Sequence, residues 1–153
     1  MATDEMLSLE AARDLVLGKM RLMEAEEADL LDAVGRVAAA DLASDIDVAP
    51  FAHSAMDGFA VRATDLLDAT PERPVCLDVV GAIGAGDVFG GSMGGGQCVR
   101  IMTGAELPEA ADSVVKYEVV DVVSGDGKPG SVVSFGAPCS VGSNVRAAGE
   151  EAK

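Results

Sequence analysis

Asp57 is one residue whose type and setting could support chemistry, in the segment SAMDGFA at positions 54–60. The dipeptide Asp57-Gly58 is typical of a turn, so one interpretation is a turn whose carboxylate caps backbone amides. Met56 and Phe59 flank it with apolar side chains, which could anchor the loop on both sides while one carboxylate projects from it. The residues by themselves leave both interpretations open.

Thr103 is a second candidate, because with Gly104 it follows a β-branched segment that ends at Met102. A hydroxyl beside free backbone amides is a common means of holding phosphate or another oxyanion. The alternative is a threonine that ends a strand and hydrogen-bonds to its own backbone. Glu106 and Glu109 disfavour a site for a bare anion here.

Other residue types that often carry chemistry favour structural roles. The only histidine, His53, is interpreted as a polar loop residue, since no serine or cysteine nucleophile of known spacing accompanies it. Three widely spaced cysteines without a CxxC motif argue against a zinc or redox site and indicate buried free thiols. The glycine-rich run 90–96 cannot continue as the helix that a dinucleotide-binding loop needs, so a flexible hairpin or barrel loop is predicted.

Two helices are predicted before these candidates. Ser8 can cap a helix whose apolar positions recur at spacings of three and four as far as Met23. Asp29 can cap a second helix, with an apolar stripe from Leu30 to Ala38. Both lie in a region where alanine and leucine are common and glycine is scarce.

From position 45 onward, β-branched segments and turns replace the helical pattern. Proline and glycine separate the predicted strands, which lie at 59–62, 75–80, 97–102, 113–123 and 131–135. Short strands without intervening helices are typical of a small antiparallel or mixed barrel. The predicted fold class is therefore α+β, with N-terminal helices and a small β-rich, barrel-like domain.

Length and charge limit the classes of function. The 153 residues correspond to about one domain, and an aromatic content of 3% requires a core of smaller apolar side chains. A formal charge of −15 argues against nucleic-acid binding through a basic face and against adsorption to anionic membranes. The N-terminus is acidic where a secretory signal would be basic, so we expect a cytoplasmic location.

Three segments in order along the chain resemble the molybdopterin molybdenumtransferases, the bacterial MoeA family related to the E domain of gephyrin. Residues 49–60 resemble the family pattern P-x-F-x-x-S-x-M-D-G-Y-A, with Phe59 in place of tyrosine. Residues 100–118, beginning RIMTGA, resemble a second signature, and residues 144–150, beginning NVR, resemble a third. The resemblance covers nearly the whole chain and implies a fold like that of the MoeA N-terminal region.

The resemblance implies a function in molybdenum cofactor biosynthesis. Family members insert molybdate into adenylylated molybdopterin with the help of Mg²⁺ and release AMP. It implies catalytic roles for Asp57 and Thr103 on loops that reach a cleft between the two subunits of a homodimer. Asp57 could orient a metal ion or water, although no metal ligand is certain, and Thr103 could hydrogen-bond an oxyanion. Five further residues would bind substrate or support these loops: Ser54, Met56, Gly58, Arg100 and Gly104.

The resemblance also implies an organisation in three parts. Residues 1–47 would be a helical linker or dimerisation segment, 48–140 a β-rich small domain, and 141–153 a return strand with the start of a next domain. Family members have a larger α/β domain that binds the pterin, so we expect a fragment that is inactive alone and binds no cofactor tightly. The alternatives are a non-enzymatic dimerisation or interaction module derived from that family, and an acidic binder of small ligands.

Overall fold

The computed structural model describes residues 6–152 and divides the chain into two compact units, with the boundary after Leu42. The first unit contains one helix, α1 (Leu9–Leu17), followed by turns. All strands of the described residues lie in the second unit, together with short 3₁₀ turns at Ala63–Leu66 and Tyr117–Val119. The strands are β1 (His53–Ser54), β2 (Gly58–Val61), β3 (Val75–Ile83), β4 (Gln97–Ile101), β5 (Ser113–Lys116), β6 (Val120–Ser124), β7 (Val132–Phe135) and β8 (Val145–Arg146).

Helix α1 begins where the sequence predicts and ends earlier. The Ser8 hydroxyl accepts a hydrogen bond from the backbone N–H of Ala11 at 3.2 Å, which is the predicted N-cap. The helix ends at Leu17 with Gly18 as its C-cap, before the apolar pattern ends at Met23, because glycine is a poor helix former. Within residues 6–152, no helix combines the length and the apolar character needed to cross a membrane.

The second predicted helix, over residues 29–38, is wrong. Asp29 accepts two turn-type hydrogen bonds, from the N–H of Asp32 at 2.9 Å and of Ala33 at 3.0 Å, and no helix continues from them. Gly35 has a φ of +82°, which no helix accommodates. The apolar stripe also lacks a packing partner among residues 6–152, since Leu30 is 86% exposed.

The main sheet has six strands in the order β5-β2-β4-β3-β7-β6, and β1 pairs separately with β8. Only the β3–β4 pair is parallel among these described strands, and the other neighbours are antiparallel. The sheet curls into a half-barrel, which confirms the α+β class with a small β-rich, barrel-like domain.

Two local predictions change in the structure. The segment 113–123 forms two strands instead of one, because the 3₁₀ turn Tyr117–Val119 carries the chain from β5 at one edge of the sheet to β6 at the other. Of the two alternatives for the glycine-rich segment, a hairpin or a barrel loop, the structure excludes the hairpin: the segment is a loop that crosses over between the parallel neighbours β3 and β4, which a tight turn cannot join.

Apolar side chains are buried on both faces of the sheet. Strand β2 is buried at every position, and alternation places Phe59 and Val61 in one core cluster and Ala60 in the other. The three cysteines are free, but only Cys98 is buried, while Cys139 is half-buried and Cys76 exposed. Burial raises the pKa of the Cys98 thiol to about 12, so this side chain serves as an apolar part of the core.

Candidate functional site

Asp57 and Thr103 lie in direct contact although 46 positions separate them. The Thr103 hydroxyl donates to Asp57 Oδ1 at 2.7 Å, and the Thr103 backbone N–H donates to the same oxygen at 2.7 Å. Both residues are exposed. The structure therefore brings the two principal candidate residues together at the surface.

The register of the sheet explains the contact between Asp57 and Thr103. Strands β2 and β4 are antiparallel, and Gly58 at the start of β2 is opposite Ile101 at the end of β4. The chain therefore enters β2 and leaves β4 at the same end of these two strands. Asp57 and Thr103 lie at that end.

The two hydrogen bonds from Thr103 lower the pKa of the Asp57 carboxyl, the hydroxyl contributing most and the backbone N–H next. Partial desolvation opposes this shift, and the positive charge of Arg100 adds a smaller lowering effect. Asp57 is therefore a carboxylate at neutral pH.

The direction of these hydrogen bonds also determines what Thr103 can offer a ligand. A threonine hydroxyl has one proton and two lone pairs, and here the proton is directed at Asp57. No described residue donates to the second carboxylate oxygen, Oδ2. The pair therefore presents oxygen lone pairs outward, which suits a cation or a proton donor better than a bare oxyanion.

Thr103 lies in a tight turn. The N–H of Ala105 donates to the carbonyl of Met102 at 3.1 Å, and Gly104 has a φ of +81°. Glycine at the third position of such a turn is the signature of type II geometry, which side chains disfavour. The turn leaves the Thr103 amide free to point at Asp57.

Backbone hydrogen bonds join the Asp57 and Thr103 loops. The N–H of Gly104 donates to the Ser54 carbonyl at 2.8 Å, and the N–H of Ser54 donates to the Ala105 carbonyl at 3.0 Å. A third bond runs from the N–H of Leu107 to the Ala52 carbonyl at 2.9 Å. Three backbone hydrogen bonds therefore hold the two loops against each other.

Ser54 and Gly58 hold the Asp57 loop from its two ends. The buried Ser54 hydroxyl donates to the Met56 carbonyl at 2.6 Å, while the Met56 side chain itself is exposed. At Gly58, an added Cβ would lie 2.1 Å from the Val115 carbonyl oxygen of β5. Glycine is thus required by the close approach of a neighbouring strand, and Gly58 belongs to β2 instead of a turn.

The third segment of the resemblance supports the same loop. Asn144 has a φ of +53°, a conformation that asparagine tolerates better than most residues. Its carbonyl accepts from the N–H of Ala55 at 2.9 Å, and its side-chain amide donates to the Val114 carbonyl at 2.8 Å. The sequence assigns Asn144 no role, although asparagine after a Gly-Ser pair is a signal for a special backbone conformation.

Tyr117 is a second residue whose role the sequence does not predict. Its ring lies 4.0 Å from the guanidinium carbon of the half-buried Arg100 and stacks on Phe59 at a centroid distance of 6.0 Å. Its backbone N–H donates to the Asp57 carbonyl at 3.0 Å. One feature of the sequence could have indicated a role for Tyr117: it is the only tyrosine in a chain with very few aromatic residues.

His53 lies in β1 and is 8% exposed, so it is a buried strand residue and not the predicted loop residue. Its Nδ1 is 3.3 Å from the Phe51 carbonyl. Among residues 6–152 there is no group of three or more histidine, cysteine, aspartate or glutamate side chains arranged to hold a metal ion. A divalent cation would fit Asp57 as one ligand only, which is compatible with Mg²⁺ that takes its other ligands from phosphates and water.

A family model described as the MoeA N-terminal region, domains I and II, matches residues 7–153. The chain belongs to the MoeA N-terminal region family. A molybdopterin molybdenumtransferase of Bacillus subtilis is 42% identical over 130 residues, covering 85% of this chain and 30% of that protein. Another from Haemophilus influenzae is 36% identical over 149 residues, covering 97% of this chain and 34% of that protein.

Solved structures agree with this membership. A molybdopterin biosynthesis MoeA protein from Pyrococcus horikoshii matches with a TM-score of 0.67 at 34% identity, covering 95% of this chain and 36% of that chain. A second structure of a MoeA protein from the same species has a TM-score of 0.71 at 32% identity, covering 84% and 32% of the respective chains. This chain thus spans about a third of the length of the MoeA relatives that it matches.

Proposed function

We propose that this chain forms the N-terminal part of a molybdopterin molybdenumtransferase in molybdenum cofactor biosynthesis, which inserts molybdate into adenylylated molybdopterin and releases AMP. Family membership across residues 7–153 and the names of the relatives support this function. The contact of Asp57 with Thr103 is the observation that carries it, since it unites two candidate residues from two separate motifs.

Asp57 supplies a fixed negative charge to the shared site. Thr103 orients its carboxylate through Oδ1 and leaves Oδ2 to accept from water or to bind a cation. Mg²⁺, when bound, would offset the charge of the phosphate groups of the substrate. Ser54 and Gly104 keep the two loops in register through the hydrogen bond between them.

The remaining walls of the site come from outside residues 1–153 in this proposal. Electrostatic stabilisation of a transition state requires groups that surround it and exclude water, whereas Asp57 and Thr103 lie exposed on two turns. We therefore propose that a homodimer and a larger pterin-binding domain complete the site, and that residues 1–153 alone do not turn over.

A chimera tests this function. The region of the Bacillus subtilis relative that matches this chain is replaced by residues 1–153, and molybdate-dependent AMP release from adenylylated molybdopterin is measured. We expect release from the chimera and none from residues 1–153 alone. Loss of about 100-fold or more is expected for the Asp57→Asn chimera, the range seen when one electrostatic contact to a transition state is removed. Full activity of the Asp57→Asn chimera would refute the role of Asp57.

A non-enzymatic interaction module is the second candidate, and one observation favours it. None of the described residues 6–42 is buried, and large apolar side chains such as Leu22 and Val37 are 99% and 93% exposed. Apolar surface on this scale indicates a partner. A correctly folded chimera that forms dimers and releases no AMP would support this second function over the first.

A further inference from the structure

We propose that Tyr117 is a positioning residue: its ring holds the Arg100 guanidinium away from Asp57, so that the carboxylate keeps one oxygen free. The position of the guanidinium is a property of this chain by itself. What the free oxygen does in catalysis rests on the proposed function, in which it accepts from water or binds a cation. Tyr117 contacts no reacting group in this account and acts through Arg100.

One carboxylate oxygen of Asp57 is engaged and the other is open. The hydroxyl and the backbone N–H of Thr103 both donate to Oδ1, each at 2.7 Å. No donor among the described residues reaches Oδ2. Arginine is well suited to occupy such an oxygen, because its planar set of N–H donors matches the geometry of a carboxylate. An ion pair with an arginine would close Oδ2 to water and to cations.

Arg100 lies within reach of that oxygen. It is opposite Phe59 in the pairing of β2 with β4, and Asp57 lies two positions before Phe59. Diagonal neighbours of this kind are about 7–8 Å apart, a separation that a long side chain spans. The charge of Arg100 makes the smallest of the contributions that lower the pKa of Asp57. Within residues 6–152, however, the two side chains form no ion pair.

The guanidinium lies on two aromatic rings instead. Its carbon is 4.0 Å from the ring centroid of Tyr117 and 5.2 Å from that of Phe59. The two rings are stacked with 28° between their planes, and Phe59 is fully buried, so the surface beneath the guanidinium is fixed. Guanidinium groups are attracted to the faces of aromatic rings, whereas water screens an exposed ion pair. The rings therefore determine where the charge lies.

The backbone and the ring of Tyr117 support the site separately. The backbone N–H donates to the Asp57 carbonyl at 3.0 Å, and this anchor of the loop does not need the side chain. The residue is 38% exposed, so a smaller side chain leaves no closed cavity. Tyr117→Phe should therefore keep both the anchor and the ring, while Tyr117→Leu keeps the anchor and removes the ring.

Lys116 is a second cation beside the Asp57 loop and provides a control. It is opposite Gly58 in the pairing of β2 with β5, it is exposed, and it forms no ion pair in the described part of the chain. The cation–ring contacts of the described residues involve Arg100 and not Lys116. Removal of the Lys116 charge should therefore affect Asp57 equally with and without the Tyr117 ring.

A cycle of substitutions in the 153-residue chain tests the proposal, with the pKa of the Asp57 carboxyl measured by NMR titration. The change in this pKa on Arg100→Gln is the coupling between the two charges. We expect less than about 0.3 pH units in the native background, because solvent screens charges that are not in contact. In the Tyr117→Leu background we expect about one pH unit, because the released guanidinium pairs with Oδ2. The Tyr117→Phe background should give the native coupling.

Two matched substitutions separate this effect from general changes in charge or packing. Lys116→Gln, in place of Arg100→Gln, should change the pKa of Asp57 by the same small amount in the native and Tyr117→Leu backgrounds. Phe51→Leu removes a ring of nearly equal exposure, 37% against 38%, which packs beside His53. It should leave the coupling between Arg100 and Asp57 at the native value.

A second measurement applies if Tyr117→Leu does not fold. A proton over the face of a ring resonates upfield, so the Nε proton of Arg100 should lie upfield of that of the exposed Arg73, in the native chain and in Tyr117→Phe. Absence of this shift, or equal coupling in the native and Tyr117→Leu backgrounds, would overturn the proposal. An inactive chimera would count against the proposed function alone, because neither measurement depends on AMP release.

Discussion

The contact of Asp57 with Thr103 gives a prediction at the scale of single residues. Thr103→Val keeps the β-branched shape and the backbone N–H but removes the hydroxyl that contributes most to the lowered pKa of Asp57. We expect the pKa of the Asp57 carboxyl to rise toward its ordinary value. A carbon-detected NMR titration of the carboxyl measures it directly.

The same substitution should lower the stability of the folded chain in a pH-dependent way. A carboxyl whose pKa is lower in the folded state contributes stability above its unfolded pKa, and this contribution is lost as the pH falls through the folded pKa. Thr103→Val should therefore be less stable than the native chain at neutral pH, and this difference should disappear as the pH falls through the pKa of folded Asp57. Thr64→Val, on the exposed 3₁₀ turn, is the matched control and should not change either quantity. An unchanged Asp57 titration in Thr103→Val would contradict the arrangement.

The sequence could predict which residues matter at this scale, but not how they contact each other. Asp57 and Thr103 are each marked by a turn dipeptide with glycine, and a resemblance assigns them to one reaction. Their contact follows from the register of Gly58 against Ile101, which no local pattern encodes. The direction of the Thr103 hydroxyl proton, and hence the cation-favouring surface, depends on that contact.

At the scale of elements, the packing of β2 against β5 predicts a strong effect at Gly58. An added Cβ would meet the Val115 carbonyl oxygen at 2.1 Å, and a backbone atom inside a sheet cannot move aside as a flexible side chain can. Gly58→Ala should lower the free energy of unfolding by about 2–4 kcal/mol. Chemical denaturation monitored by circular dichroism checks this value.

Substitutions at two other glycines serve as controls for Gly58→Ala. Gly90 has open space around it and no positive φ, so Gly90→Ala should change stability by less than about 0.5 kcal/mol. Gly104 also has open space but a φ of +81°, so Gly104→Ala should cost about 1–2 kcal/mol from backbone strain. If Gly58→Ala were as mild as Gly90→Ala, the two strands would lie further apart than described.

Prediction of the elements succeeded where the local signal and tertiary packing agree. The strands β2, β3, β4 and β7 follow segments with β-branched or aromatic residues that also fill the core. The expected helix over 29–38 does not form because its stripe, including Leu31, packs against no apolar partner in the described part of the chain and Gly35 interrupts it. The split of 113–123 depends on the order of strands in the sheet, which is a property of the whole domain.

At the scale of the molecule, the burial of apolar side chains differs between the two units. Every buried apolar side chain among the described residues lies between Phe59 and Phe135, so the β-rich unit contains its own core. The first unit, which ends at Leu42, is rich in apolar side chains, but none of its described residues 6–42 is buried. Burial of apolar surface is the main favourable term in folding and association, so the two units should behave differently in solution.

Deletion of residues 1–42 separates these behaviours. We expect residues 43–153 to unfold cooperatively with a midpoint close to that of the whole chain, because no core residue is removed, and to be monomeric.

The whole chain should associate with increasing concentration, which sedimentation equilibrium measures. The double variant Leu22→Asp, Leu30→Asp should reduce this association without lowering the unfolding midpoint, since both side chains are exposed. A whole chain that stays monomeric at high concentration would contradict the assembly role of the first unit, and an unfolded 43–153 would contradict the independence of the second.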